Sequence, residues 1–566
     1  MKKGLRLWAV VWGGLVAAGG ANAQILKLSS DLNQLLSQTG LFTTVIVQYQ
    51  QPPTGLDFLN LEILGGTVQQ TFSVIPAVLV RLPVGNLLAV LNLLNVAYVS
   101  PDRSLVGLAD FTAATVNAPM AWQSGFDGRG IGIAVIDSGI ADHPDLHTAS
   151  GATRVVYHQS FIDSVTTDRY GHGTHVAGIV AGNGHESSGP GFTYTFQGVA
   201  PKANLIDLRV LDANGGGSDS AVIAAIDRAV ALKSKYNIRV INLSLGRPIY
   251  ESYRLDPLCR AVKAAWNAGI TVVVAAGNLG RNGYATITSP GNAPEAITVG
   301  AMKTMDTPWR SDDLIASYSS RGPSFIDSVV KPDLVAPGNL TGSLLAPGST
   351  LSQEYPQNVI PTSEYSTNGG APAYFRLSGT SMATPVVAGA AAILLEQNPW
   401  LTPDAIKARL MKTASKSFPL TSTATEPTTG ATYTDVYDIF TVGAGYLDIH
   451  AALTNAESFS GSAPSPTAVF SSSLNQAYLH FNSPSPSTSG FSLFGGSLFS
   501  SSSGTSAVWG SSAVWGSSAV WGSTVVDGSS AVWGSSAVWG SSAVWGSSAV
   551  WGSSAVWGST SGNGEN

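Results

Sequence analysis

Five apolar runs limit what this chain can become: GIGIAVID, LIDLRVL, RVINLSL, ITVVVAAGN and AITVGA, spread between Gly130 and Ala301. A strand that is apolar at nearly every position has no face for water. It has to be covered on both sides, as a central strand of a parallel sheet is when helices flank it. Segments between and after the runs read as those helices. DSAVIAAIDRAVALKSKY (Asp219–Tyr236) has apolar residues at helical spacing, and LTPDAIKARLMKTA offers Thr402 as N-cap with Pro403 in the first helical position. Residues 109–455 are therefore expected to form an α/β domain around a mostly parallel sheet with helices on both faces.

Different material flanks this region. Residues 1–23 have a basic start (Lys2, Lys3, Arg6), an apolar run from Leu7 to Ala18 and then Ala21-Asn22-Ala23, the pattern of a secretory signal with a small-residue cleavage site. That run is short for a membrane span, and no later stretch is long and apolar enough to be one. Residues 24–108 read as a small α+β unit. FTTVIVQY (Phe42–Tyr49), AVLVRLP (Ala77–Pro83) and NVAYVSPD are strands, and GNLLAVLNLL (Gly85–Leu94) is a helix. Residues 456–505 have linker composition. In residues 506–566 the hexapeptide SSAVWG repeats almost unbroken, with Asp527 in the place of one Trp. A period of six suits short stacked strands, a sticky unstructured tail, or a Trp-rich surface that associates with the cell envelope.

Composition narrows the function. Only 11% of residues are charged and the net charge is -6, so phosphate backbones would find no basic surface. The one cysteine, Cys259, cannot form an intramolecular disulfide and reads as a buried inert thiol.

Three short segments carry chemistry. AVIDSGI puts Asp137 at the carboxyl end of an apolar strand. YGHGTHVAGIVAG puts His172 at the mouth of a small-residue helix. SGTSMATPVVAGAAAILLEQNP opens a long apolar helix with Gly379, Thr380, Ser381 and an early Pro385, more than a buried helix needs for one cap. In an open α/β sheet, the carboxyl ends of strands and the N-termini of helices meet at one edge. A serine hydroxyl becomes a nucleophile when an imidazole takes its proton and a carboxylate holds that imidazole in one tautomer. Each residue alone has an ordinary reading: Asp137 and Asn278 as turn residues, Ser381 as an N-cap. His172 and His175 could pair on a metal, but a third ligand and an HExxH pattern are both missing.

Together DSG, HGTHVAG and GTSMATP, with VNAPMAWQSGFDGRG and VGAGYLDIHAAL, resemble the subtilisin-type serine proteases from Val116 to Leu453. The resemblance implies a subtilisin-like fold and an endopeptidase that works through an acyl-enzyme. Ser381 would be the nucleophile, His172 the general base and then acid, and Asp137 its orienting carboxylate. Asn278 would supply the oxyanion hole. Ser244, Leu245 and Gly246 would pair with the substrate backbone, and Ala275, Ala276 and Gly277 would form the opposite wall of the first specificity pocket. Leu279 lies where members of the family vary the pocket floor, which implies a preference for apolar or aromatic residues before the cut bond. His175 would be a packed neighbour. Residues 24–108 would be an inhibitor-type propeptide of a zymogen, removed between Ser104 and Thr115. No cofactor is required. Asp145 matches a position that binds structural calcium in the family, although GNGHESSGPGFTYTF lacks a clear string of acidic ligands. Expected partners are protein or peptide substrates and the chain's own propeptide, with cell-surface association through the tail and no nucleic acid. The alternative is a noncatalytic surface or adhesion protein on the same scaffold. An esterase is disfavoured because no G-x-S-x-G elbow surrounds Ser381.

Overall fold

In the computed structural model the described residues are 27–28, 32, 42–72, 75–101, 110–426, 429–459, 461–471, 476–480 and 490–492. The expected signal segment, the first half of the expected propeptide cleavage region and the SSAVWG repeats lie outside them. The chain divides into two compact units at Gly107 and Leu108.

In the first unit β1 (Phe42–Tyr49), β2 (Thr67–Thr71), β3 (Ala77–Pro83) and β4 (Val96–Pro101) form an antiparallel sheet in the order β2-β3-β1-β4. Alternate residues of β1 (Val45, Val47 and Tyr49) face a core shared with Val78, Val80 and Leu82 of β3. Helix α1 (Gly55–Ile63) starts at a capping box, with the Asp57 carboxylate accepting from the Thr54 amide at 2.8 Å. The expected helix at 85–94 is shorter, a 3-10 turn at Val84–Asn86 followed by α2 (Leu87–Leu91).

The second unit holds β5 (Gly132–Asp137), β6 (Val155–Ser160), α3 (His172–Ala181), β7 (Asn204–Arg209), α4 (Asp219–Tyr236), β8 (Ile238–Leu243), α5 (Pro257–Asn267), β9 (Thr271–Ala275), β10 (Ile297–Lys303), β11 (Leu314–Ile315) and β12 (Leu334–Pro337). Its sheet runs β11-β10-β9-β8-β5-β7-β6, with β12 also on β10. All pairings are parallel except β10 with β11. The five apolar runs became β5, β7, β8, β9 and β10. Every residue of β5, β9 and β10 is buried, as the absence of polar faces required. Each fully buried Val, Ile or Leu side chain contributes about 1.5–3 kcal/mol. The strand order reverses at β5, which has β7 on one side and β8 on the other, so ligands are expected beyond its carboxyl end.

Two core helices carry the candidate chemistry. Helix α6 (Thr380–Gln397) is buried from Thr380 through Leu395 and packs on β8, β9, β10 and α3. It is apolar all round because it lies inside the molecule. Helix α7 (Pro403–Thr413) starts as expected, with Thr402 accepting from the Ala405 amide at 3.1 Å.

The structure differs from the expected linker at its beginning. Residues 463–468 pack on the sheet-bearing unit: Ser465 donates to Asp333 at 2.5 Å, and the Val330 amide donates to the Pro466 carbonyl at 2.8 Å. Thr467–Ser471 and Gln476–His480 then form a hairpin. Ala463, Ala468 and Leu479 join the main core, which composition alone does not reveal.

Candidate active site

Asp137 ends β5 and is fully buried. Its Oδ1 accepts from the Ser138 amide at 2.8 Å and from His172 Nδ1 at 2.7 Å. His172 is the first residue of α3 and is also fully buried. The bond to Asp137 places the imidazole proton on Nδ1, which leaves Nε2 as the basic nitrogen. Nε2 has no hydrogen-bond partner among the described residues. Burial alone would lower the His172 pKa. The charge and hydrogen bond of Asp137, aided by the Asp168 charge, outweigh it and raise the pKa above the ordinary value.

Ser381 is the second residue of α6. Pro385 lies four residues on and has no N–H, so the Ser381 carbonyl lacks its usual helical donor. The Ser244 hydroxyl replaces it, donating to that carbonyl at 2.8 Å, while Asn242 donates to the same hydroxyl at 2.9 Å. In return the Ser381 hydroxyl donates to the Ser244 carbonyl at 3.1 Å. The early proline thus ties the start of α6 to the segment after β8. The Ser381 hydroxyl is thereby turned toward Ser244 and makes no bond to His172.

Asn278 follows β9. Its Oδ1 accepts from the Thr380 amide at 2.9 Å and the Thr380 hydroxyl at 3.1 Å. This fixes the side chain, with its NH₂ end directed away from Thr380. Gly277 has a φ of 107°, and its amide donates to the Thr380 hydroxyl at 3.1 Å.

The residues expected to bind substrate converge on Thr288. A Cβ on Gly246 would lie 2.5 Å from the Thr288 hydroxyl, and one on Gly277 would lie 2.8 Å from its methyl group. Ala276 accepts from the Thr288 amide at 3.0 Å; Ala275, next to Ala276, and Leu245, next to Gly246, are buried. Leu279 and Thr288 line a cavity of about 280 Å³ together with Ile249, Ile287, Ala285 and Phe325. Its wall is mostly apolar.

His175 is a structural residue. Its Nε2 donates to the carbonyls of Thr341 and Phe375 at 3.1 and 3.0 Å, and burial with the nearby His172 lowers its pKa to about 3. It stays neutral, its Nδ1 has no hydrogen-bond partner among the described residues, and no third His, Cys, Asp or Glu is grouped there to complete a metal site with His172.

Asp145 does not fit calcium. Its carboxylate accepts from the Tyr374 hydroxyl and from the Glu186 amide, both at 2.8 Å, and its carbonyl accepts from Arg154 at 2.7 Å and the Asn183 amide at 3.0 Å. Ser187 is 2.7 Å from the Tyr374 hydroxyl. The donors that surround this carboxylate are N–H and O–H groups where a cation would need oxygen lone pairs. Among the described residues no three His, Cys, Asp or Glu side chains are grouped to hold a metal ion. Cys259 is buried, as expected, with its pKa raised by burial first and by Asp256 second.

Sequence reasoning missed the supporting residues: Ser138, Asp168, Thr380 and Thr288. Thr380 lies inside the quoted helix start, so its place beside Ser381 was visible. Ser138 likewise lies inside the quoted AVIDSGI, whereas Asp168 and Thr288 fall outside every quoted motif.

The model of the subtilase family, Peptidase_S8, matches residues 128–443. The chain is 38% identical over 335 residues to serine protease AprX of Bacillus subtilis (strain 168), covering 57% of this chain and 70% of that protein. It is 34% identical over 359 residues to subtilisin E of the same strain, covering 62% of this chain and 78% of the relative. A crystal structure of a cold adapted subtilisin-like serine proteinase matches with a TM-score of 0.38 at 32% identity, over 52% of this chain and 85% of that one. The buried Asp–His pair beside a serine-bearing helix start is thus set in a domain of known lineage: the chain belongs to the subtilase family and is a subtilisin-like serine endopeptidase.

Proposed function

We propose that Asp137, His172 and Ser381 act as the catalytic triad of an exported endopeptidase made as a zymogen. One observation carries the reading. His172 is buried, bonded through Nδ1 to Asp137, and presents an unpartnered Nε2 at the start of a helix packed on the helix of Ser381. In this reading the Ser381 hydroxyl leaves the Ser244 carbonyl and bonds to Nε2 as substrate arrives. His172 then takes its proton as the oxygen attacks the peptide carbonyl. Asp137 stabilises the imidazolium, and His172 returns the proton to the leaving amine. The Asn278 amide and the Ser381 backbone N–H, at a helix N-terminus, stabilise the oxyanion. Water then hydrolyses the acyl-enzyme by the reverse path.

The cavity beside Leu279 supports an apolar or aromatic side chain before the cut bond, since its lining offers no charged partner to a basic one. The separate first unit supports the propeptide reading, and the basic-apolar start supports export. Among the described residues no helix is long and apolar enough to cross a membrane. The repeat tail is assigned to cell-surface association on its Trp-rich composition.

Casein digestion by the wild type beside Ser381→Ala tests the activity. Loss of digestion and of fluorophosphonate labelling in the variant is expected; retained digestion would refute the triad. Intact mass of the secreted product tests removal of the signal and first unit. Deleting Ser506–Asn566 and measuring cell association tests the tail.

A further inference from the structure

Asp168 lies four residues before His172, in a segment to which neither sequence nor mechanism assigned a task. It is almost fully buried and surrounded by donors. Its Oδ1 accepts from the Ser138 hydroxyl at 2.9 Å, the Tyr170 amide at 3.1 Å and the Gly171 amide at 2.7 Å. Its Oδ2 accepts from the Thr174 amide at 2.8 Å and the Thr174 hydroxyl at 2.7 Å. The two hydroxyls pass the connection on. Ser138 accepts from the Gly173 amide at 2.8 Å, and Thr174 accepts from the Ala141 amide at 2.9 Å. Ser138 and Ala141 belong to the turn that follows Asp137. Gly171, Gly173 and Thr174 surround His172. One carboxylate therefore ties the two segments whose side chains must stay 2.7 Å apart.

We propose that Asp168 is a positioning residue of the triad, joining the turn that carries Asp137 to the helix start that carries His172. This rests on the triad reading above. All five partners are donors, so the ionised carboxylate completes the network. A protonated acid would bring a hydrogen with no acceptor and would displace one of them. The anion also lies near the imidazolium that forms during reaction. Other ionisable groups around it are Asp137, Asp207, Tyr170 and Arg209, whose Nε donates to the Ser138 carbonyl at 3.1 Å. The charges that act on His172 are those of Asp137 and Asp168, and both favour its cation, while Asp207 is paired with His158 at 3.0 Å and the neighbouring His175 is neutral.

The test compares Asp168→Asn and Ser138→Ala with the wild type, each preparation titrated by a fluorophosphonate so that only folded, reactive molecules are counted. Asparagine keeps the shape but loses the charge and cannot accept at both ends. The expected result for Asp168→Asn is a kcat lower by roughly 10- to 100-fold with KM little changed, the scale on which a misplaced catalytic group slows a reaction. The acid limb of its kcat profile moves to lower pH, because loss of an anion destabilises the His172 cation. Ser138→Ala lowers kcat less and leaves the acid limb closer to wild type. The double variant is no worse than Asp168→Asn, since both changes break one network. A purely structural residue would reduce yield and thermal stability while titrated molecules kept the wild-type kcat and acid limb; that result overturns the inference. Should Asp168→Asn fail to fold, an unchanged kcat in Ser138→Ala overturns it instead, and a lowered kcat supports it. Activity surviving in Ser381→Ala would instead refute the triad itself, so the two failures are distinct.

Discussion

Tyr374→Phe is the sharpest test of how this domain is held together without an ion at Asp145. The substitution removes one hydroxyl and keeps the ring that packs against Phe196, with centroids 4.3 Å apart. The lost hydroxyl donates to the Asp145 carboxylate at 2.8 Å and lies 2.7 Å from Ser187, and all three residues are buried. A hydrogen bond to a charged group is worth about 1.5–3 kcal/mol, and stranding a buried partner adds to this, so a loss of about 2–4 kcal/mol is expected. Unfolding entropy near 2.1 cal/mol/K per residue gives about 0.7 kcal/mol/K for a unit of roughly 350 residues, so Tm should fall by about 3–6 °C. The pH dependence has a definite sign. Burial already raises the Asp145 pKa. Loss of a donor to its ionised form raises it further, so the variant's folded state holds this proton to higher pH. Its deficit should therefore be larger at pH 9 than at pH 5. The assay is calorimetry at one scan rate in a Ser381→Ala background, which prevents self-digestion, with and without a chelator. The wild-type background should melt at the same temperature in both conditions. A chelator-induced drop reversed by calcium, or an unchanged Tm in Tyr374→Phe, would refute the reasoning.

Three further outcomes follow from the site. If the proposed oxyanion role holds, Asn278→Ala should lower kcat by about 10²- to 10³-fold with KM little changed; steady-state hydrolysis of a peptide anilide measures this. Activity needs neutral His172, and its folded pKa is raised above 6.5, so kcat/KM should rise with pH through a midpoint above that value. A midpoint well below it would show that burial outweighs the two carboxylates. Leu279→Asp puts an anion in the apolar cavity and should improve cleavage after Lys or Arg relative to Phe by about tenfold or more, the scale of one charge-assisted hydrogen bond. A panel of peptide substrates checks it, and unchanged preference would place the first specificity pocket elsewhere.

What could be read from the sequence divides by range of interaction. The strands β5, β7, β8, β9 and β10 were legible because full burial leaves a continuous apolar record. Helix α4 was legible to the residue because Ser218 caps it, accepting from the Ala221 amide at 3.3 Å, and Asn237 ends it at a φ of 49°. Asp137, His172 and Ser381 were legible because each lies at an element boundary where packing does not explain its type. Residues 463–468 were not: Ser-Ala-Pro composition resembles a linker, and only the buried Asp333, Lys331 and Lys407 reveal why Ser465 is needed. Asp145 shows the opposite failure. Its type and place suggested an ion ligand, and the deciding partner, Tyr374, is more than two hundred positions away.

The odd start of α6 shows why local rules break where chemistry is placed. A proline inside a helix costs about 3 kcal/mol or more in isolation, chiefly through a lost backbone bond and a clash with the carbonyl four residues back. Here that carbonyl belongs to Ser381 and is satisfied by Ser244, so the lost bond is replaced rather than left open. The replacement comes from another element, and a helix hydrogen bond could not anchor Ser381 to the segment after β8. Thr380, next to the nucleophile, binds both Asn278 and Gly277. Two adjacent residues at one helix start thus tie the Ser381 backbone to the segment after β8 and the Asn278 side chain to the same helix start. A helix without Pro385 would satisfy the Ser381 carbonyl internally and leave its connection to Ser244 unmade, whereas the Thr380 amide, a first-turn donor, needs an outside acceptor in any helix.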